Sequence, residues 1–511
     1  MRDACWESTM LSRVLPPLFR RGRTVLVSLA LVWCIGCVHE PSAVTGERQA
    51  YGYSWQQELQ LGAESDQQIV QEMGLYDDPM MQQYVASVGR RVLETSDLRS
   101  PDAPDLYQGT EFTFRVLDSP VVNAFALPGG YVYVTRGLLT HLQNEAQLAV
   151  VLGHEIAHVA ARHASQQARR AQLSQLGLFA GAILGQQVLG DQGGDIASNI
   201  LNIGGQALQL LMFRYGRDAE RESDELGVRY AGTAGYRTVE GAEFFRTLER
   251  MGEAEGKSIP SWASTHPDPG ERRERVRELS AAWSQGQVNR EAFLQRINGM
   301  IVGENPREGF RRGDWFLHPD LQFQFPVPSG WKLVNERALV AMVEPNGRAM
   351  LGFEIVPVSS PREAAAALAQ QGQQQGLQVI SVNDANLNGQ PATVLVGAAQ
   401  TQQGQIGVMA TFVQQGSRVY SFMGYAPAQV FNQATSVFQQ VAGGFGPLTD
   451  RDALSVQPAR LRVVALDRER SFNELLPPNL PPGLKPEDFA LMNQVEMNQR
   501  LPAGHLVKLP R

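Results

Sequence analysis

Cysteine is nearly absent: 511 residues hold three, Cys5, Cys34 and Cys37, all within the first forty positions. Beyond Cys37 there is no thiol, which excludes a disulfide scaffold and thiol redox chemistry. Positive charge is in deficit too. Lys and Arg number 45 against 52 Asp and Glu, a formal net charge of -7. That balance offers no footprint for a phosphate backbone and excludes nucleic acid as a partner. Apolar runs able to span a bilayer are also missing. Both "TVLVSLALVWCIGC" and "LGLFAGAILG" fall short of the ~20 residues a spanning helix needs. What is present is an ordinary globular composition, 43% hydrophobic and 19% charged, in a chain long enough for two to four domains.

The N-terminus has the layout of an export signal. Arg13, Arg20, Arg21 and Arg23 precede the apolar run that closes on Gly36 and Cys37. This ending resembles a bacterial lipobox, although Cys34 stands where that pattern favours leucine. The resemblance implies a signal peptide over residues 1–37, lipidation of Cys37 and a lipid anchor in the membrane. Val38 follows in place of the aspartate that would retain a lipoprotein at the inner membrane. The expected location is therefore the periplasmic side of the cell envelope, as an outer-membrane lipoprotein.

Apolar spacing of three and four predicts helices from Ser54 to Glu94, with Asp78-Pro79 as a start signal. "EFTFRVLDS" and "GGYVYVTRG" alternate as half-buried strands, the second after a Pro128-Gly129-Gly130 turn. Asn144 and Gln147 form a capping-box pattern for a helix through "EAQLAVVLGHEIAHVAARHASQQARR". A Gly/Ala-rich helical hairpin and further helices extend to about Met300. From about Arg307 the pattern changes to strands joined by Asn-Gly and Gly-Ser turns, with one helix in "SPREAAAALAQQGQQQG".

The chemistry sits in "VLGHEIAHVAARH", Val151 to His163. Residues four apart share a helix face, so His154 and His158 can present both imidazoles to one zinc ion. Glu155 lies about 100° round the helix, beside such an ion and placed as a general base for a water. His163 projects about 140° from His158, off the ligand face, and is expected to be structural. A catalytic zinc needs a third protein ligand, and "RYGRDAERESDELG" offers Glu220, Glu222 and Asp224. Spacing alone does not choose among them.

Together, HEIAH, "LDSPVVNAFALPGGYVYVTRGLL" and "RDAERESD" resemble the zinc metallopeptidases of the CAAX prenyl-protease and heat-shock membrane protease family, in its soluble exported branch. The likeness covers about Gln57 to Ile297. It implies a single zinc ion held by His154, His158 and Glu220, with Glu155 as general base and Asp224 steadying a ligand histidine. Ser223 stands where that family's R-x-x-E-x-x-A-D motif has alanine, and Gly216 where serine is common. "THPDPGERRERV" resembles the branch's Thr-His-Pro loop, which places His266 close to the zinc in a self-inhibited state and Arg272 at a matching arginine. The resemblance also implies substrate pairing along an edge strand near Asn123 and Ala124. Implied substrates are misfolded or stalled envelope proteins, and the implied partner is the outer-membrane protein assembly machinery. A rival expectation is a chaperone-like assembly factor whose proteolysis is minor or self-inhibited.

The expected fold class is α+β. A mainly helical zincin-type peptidase domain with a small edge sheet spans 38–305, followed by a smaller α+β accessory module over 306–448. Residues 449–511 faintly resemble a degenerate LysM unit through their closing L-x-x-G-x-x-V-K, which implies peptidoglycan as a binding partner.

Overall fold

The computed structural model describes residues 38–171, 215–254, 266, 268–374, 376–401 and 404–511. The expected signal peptide with Cys37 and the Gly/Ala-rich hairpin lie outside the described residues. The chain is mixed α and β, with several separate sheets. Among the described residues, no helix is long and apolar enough to cross a membrane.

A short hairpin of β1 (Val38–Pro41) and β2 (Arg48–Tyr51) leads into α1 (Trp55–Met73). Ser54 and Gln57 close a reciprocal capping box at the start of α1. Helix α2 (Pro79–Leu93) starts as its sequence signals: Pro79 occupies the first turn and Asp78 accepts the Met81 N–H at 3.0 Å. Three short strands follow, β3 (Thr113–Leu117), β4 (Ala124–Leu127) and β5 (Tyr131–Thr135). β5 is central, parallel to β3 and antiparallel to β4. Gly129 and Gly130 turn the chain between β4 and β5 with φ of +79° and +96°, a conformation glycine adopts without steric penalty. β4 is left at the sheet edge and packs along the central helix α4 (Glu145–Ala160).

Helix α4 has no polar face, and each of its residues is buried. It is a core helix, enclosed on every side. Asn144 caps it, accepting the Gln147 N–H at 2.9 Å. The expected return half of the box is not formed, because the Gln147 side chain accepts the Gln143 N–H at 2.7 Å instead. Around α4 pack α3 (Arg136–His141), α5 (Arg217–Thr233), α6 (Glu240–Ala254), α7 (Pro269–Leu279) and α8 (Arg290–Ile297).

Residues 310–447 form two further sheets. Strands β6 (Phe310–Arg312), β7 (Trp315–His318), β8 (Phe323–Pro326) and β16 (Gly446–Pro447) make a four-stranded sheet. The other sheet is antiparallel with seven strands, in the order β12-β13-β14-β15-β11-β10-β9. These are β9 (Lys332–Asn335), β10 (Val340–Val343), β11 (Met350–Val356), β12 (Leu377–Leu387), β13 (Gln390–Thr401), β14 (Gly404–Gln415) and β15 (Arg418–Pro427). Asn388 and Gly389, both at positive φ (51° and 80°), link β12 to β13 as an Asn-Gly hairpin turn requires. Helices α9 (Pro361–Gln374) and α10 (Ala428–Gly443) pack on this sheet.

At the C-terminus, Leu461–Ala465 pairs antiparallel with Leu506–Pro510. The apolar residues here, among them Leu461, Phe472, Phe489 and Val507, join the same core that encloses α4. Lys508 is fully buried and donates 2.8 Å hydrogen bonds to the Thr140 and Leu142 carbonyls, at the bend between α3 and α4. The last fifty residues are thereby stitched to the start of the histidine-bearing helix.

Candidate metal centre

His154 and His158, one turn apart on α4, point the same way, with Nε2 atoms 3.0 Å from each other. Helix α5 crosses α4 and brings Glu220, in its first turn, to them. The Glu220 carboxylate oxygens lie 3.5 Å from His154 Nε2 and 3.6 Å from His158 Nε2. His266 arrives from the segment before α7. Its Nδ1 lies 2.9 Å and 3.1 Å from the two Glu220 oxygens and 3.3 Å from His154 Nε2. Ligand-type atoms of His154, His158, Glu220 and His266 all fall within 4.8 Å of one another, and all four side chains are buried. Of the three acidic candidates in α5, Glu220 alone joins this group.

Asp224, one turn further along α5, sits behind His154, with Oδ1 3.1 Å from Nδ1. Arg272 on α7 clamps Asp224 through two hydrogen bonds of 2.8 Å and 2.6 Å. A second arm of the same guanidinium lies 2.9 Å from Glu220, and its plane sits over the Phe245 ring at 4.6 Å.

The electrostatics favour a cation at the centre of this group. Burial and Arg272 push His154 down, yet Asp224 and Glu220 outweigh them and lift it to about 9. Burial and the charge on His154 hold His158 well below the ordinary histidine range, in the neutral form that binds metals. Burial would raise Glu220, but His266 and Arg272 keep it well below the usual carboxylate range. Two imidazoles, a carboxylate and a third imidazole, all buried, fit the borderline-soft, N/O donor set of a zinc ion.

Glu155 stands apart from the ligand group. It is 0% exposed, and among the described residues neither carboxylate oxygen has a hydrogen-bond partner. His266 Nε2 lies 3.6 Å from Glu155 Oε1. Burial is the main cause of its raised pKa. A buried carboxylate kept without partners is costly unless a ligand or reactant completes it.

The sequence model of peptidase family M48 matches residues 79–280, a span that holds every residue of this group. Residues 79–280 are a peptidase family M48 domain. Its relatives include the human mitochondrial metalloendopeptidase OMA1, 32% identical over 181 residues, which are 35% of this chain and 34% of that protein. The beta-barrel assembly-enhancing protease of Escherichia coli K12 is 29% identical over 220 residues, 42% of each chain. The chain thus spans less than half the length of either relative.

Within the matched span, Asn123 immediately precedes β4 and Ala124 begins it, at the edge of the three-stranded sheet. The Asn123 N–H is fixed by Thr135 Oγ1 at 3.1 Å, while Asn123 Oδ1 has no partner among the described residues. Two participants escaped the sequence reading. Tyr215, just before α5, stacks on the His158 ring, with centroids 4.1 Å apart and planes at 26°. His163, projected away from His158, is in contact with it: the two Nδ1 atoms are 2.9 Å apart. The straight-helix projection fails because α4 stops at Ala160 and Arg162 turns left-handed, with φ of +58°. That conformation is strained for a non-glycine residue. It is held by hydrogen bonds from Arg162 to Glu58 (2.7 Å), Glu40 (2.6 Å) and the Tyr53 carbonyl (2.7 Å). No short-range motif announces this turn, because its partners lie more than a hundred residues upstream.

Proposed function

We propose that the chain is a zinc-dependent metalloendopeptidase in which His154, His158 and Glu220 hold one ion. The observation that carries this reading is the convergence of those three side chains beside Glu155, a buried carboxylate with no partner of its own. A zinc ion there supplies Lewis acidity, acidifying a water and polarising a scissile carbonyl. Glu155, kept free of other hydrogen bonds, takes the proton of the attacking water and passes it to the leaving amine. Asp224 accepts from His154 Nδ1, so that Nε2 faces the ligand group, and Arg272 fixes Asp224 in turn. The outer edge of β4, from Ala124 onward, pairs with an extended substrate backbone, and Asn123, whose own N–H and carbonyl are held by Thr135, flanks it.

His266, beside the same group, would compete with water for an ion held by His154, His158 and Glu220. Its contacts with Glu220 and His154 support a self-inhibited resting state, from which His266 swings away before turnover. Resemblance extends the reading to misfolded or stalled envelope proteins as substrates, with the outer-membrane protein assembly machinery as partner. On the sequence evidence the chain is an exported lipoprotein anchored through Cys37 on the periplasmic side. The domain layout is 38–305 for the peptidase, 306–448 for the accessory module and 449–511 for the C-terminal region, with peptidoglycan as that region's ligand.

Replacing Glu155 by glutamine tests the reading, because it removes the base and keeps both the volume and the ligands. Casein cleavage should fall by about 10²–10⁴-fold, with zinc content unchanged. Undiminished cleavage by that variant would refute the mechanism. If cleavage is lost yet the variant restores a deletion strain fully, the chaperone-like role is the biological one.

A further inference from the structure

His163 has no task in the mechanism above, yet its surroundings are specific. One edge of its ring meets His158, Nδ1 to Nδ1 at 2.9 Å, with Ser223 Oγ 3.3 Å away. The other edge meets Glu222, Nε2 to Oε2 at 3.1 Å. His163 is buried, while the Glu222 side chain is 44% exposed, so the chain of contacts runs from the ligand group out to solvent.

The tautomers follow from this geometry. His158 turns Nε2 toward His154 and Glu220, so a neutral His158 that binds metal through Nε2 carries its proton on Nδ1. The atom in reach of that proton is His163 Nδ1, which must therefore accept. An imidazole accepting at Nδ1 carries its own proton at Nε2, and that proton points at the Glu222 carboxylate. Each hydrogen bond fixes the direction of the next.

We propose that His163, aligned by Glu222, is a positioning residue for His158: it accepts the Nδ1–H of His158, sets its tautomer and ring angle, and raises its affinity for the ion. This rests on the metal reading above. It gives His158 an outer partner, as Asp224 is for His154. Such partners typically contribute 10–100-fold in metal affinity.

The test is a zinc titration of the full chain against a chromophoric chelator, with the visible absorption of the cobalt-substituted protein as a second readout. Three variants separate positioning from packing. His163→Phe keeps the volume and removes the acceptor. His163→Asn restores an acceptor oxygen near the Nδ1 position. Glu222→Ala removes the outer acceptor at the solvent side and leaves the core intact. His163→Phe should weaken zinc binding by roughly 10–100-fold and shift the cobalt spectrum, with the metal-free melting temperature near wild type. His163→Asn should recover most of the affinity. Zinc affinity of His163→Phe within about twofold of wild type, or an Asn variant as impaired as the Phe variant, overturns the proposal. If His163→Phe does not fold, Glu222→Ala decides, since the proposal requires a measurable loss of zinc affinity there and an unchanged value overturns it. A wild-type chain that takes up no zinc sinks the metal reading, and this inference with it. A wild-type chain that binds zinc while the variants bind equally well sinks the inference alone.

Discussion

Gly153 and Gly227 meet face to face where α4 crosses α5. A Cβ placed on Gly153 would lie 2.6 Å from the Gly227 carbonyl oxygen, and one on Gly227 would lie 2.6 Å from the His154 backbone nitrogen. Neither helix can yield, because the obstructing atoms are backbone. The absence of two side chains therefore sets the interhelical distance, and that distance decides whether Glu220 reaches the histidines. Gly227→Ala should cost about 1–3 kcal/mol in stability, as for an overpacked core. It should also lower zinc affinity. Denaturant melts and metal content of the purified variant check both, and a fully metallated, equally stable variant would contradict this account.

Removal of the ion should separate catalysis from architecture. A chelator should abolish casein cleavage and lower the melting temperature only in part, because the apolar residues of α4 are buried in the main core independently of the ligand face. Glu220→Ala should lose most bound zinc and all cleavage. Loss of folding before any loss of cleavage would instead mark the ion as a structural staple between two helices.

His266→Ala should raise activity. Removing an extra ligand frees the open coordination position while His154, His158 and Glu220 remain. Casein cleavage is expected to increase by about fivefold or more, the gain set by how seldom the wild-type site is open. Reduced cleavage with normal zinc content would assign His266 to catalysis itself.

Acid should destabilise the domain through His141. Burial is the main cause that holds its pKa down at about 4, against 6.5 in an exposed histidine, with the Gly137 carbonyl opposing and Lys508 assisting. Because the folded value lies below the unfolded one, its contribution is fully present above pH 6.5. It is lost as pH falls toward 4, where the unfolded chain takes the proton first. The loss amounts to at most about 3 kcal/mol. Denaturant unfolding at pH 7 and pH 4.5 should show a smaller difference in His141→Gln than in wild type.

Much of this was legible in the chain. Start signals such as Asp78-Pro79 and Asn144, the Asn388-Gly389 turn and the i, i+4 pairing of His154 with His158 are local. They depend on residues within one turn of each other, whose geometry is fixed by backbone sterics and hydrogen bonding. The selection of Glu220 over Glu222 and Asp224 was not legible from spacing, since all three lie within five residues on one helix. It depends on how α5 is rotated against α4. The contact between His163 and His158 was not legible for a related reason. A left-handed residue, Arg162, is held by Glu58, Glu40 and Tyr53, far upstream.

By itself the sequence determined the helices, the hairpin turns and the paired imidazoles, because each follows from short-range periodicity and capping. Only tertiary structure decided which carboxylate meets them, which stays unpartnered, and that His163 and Tyr215 brace His158. Those outcomes depend on how closely two helices approach at a pair of glycines, a distance that no residue sets alone.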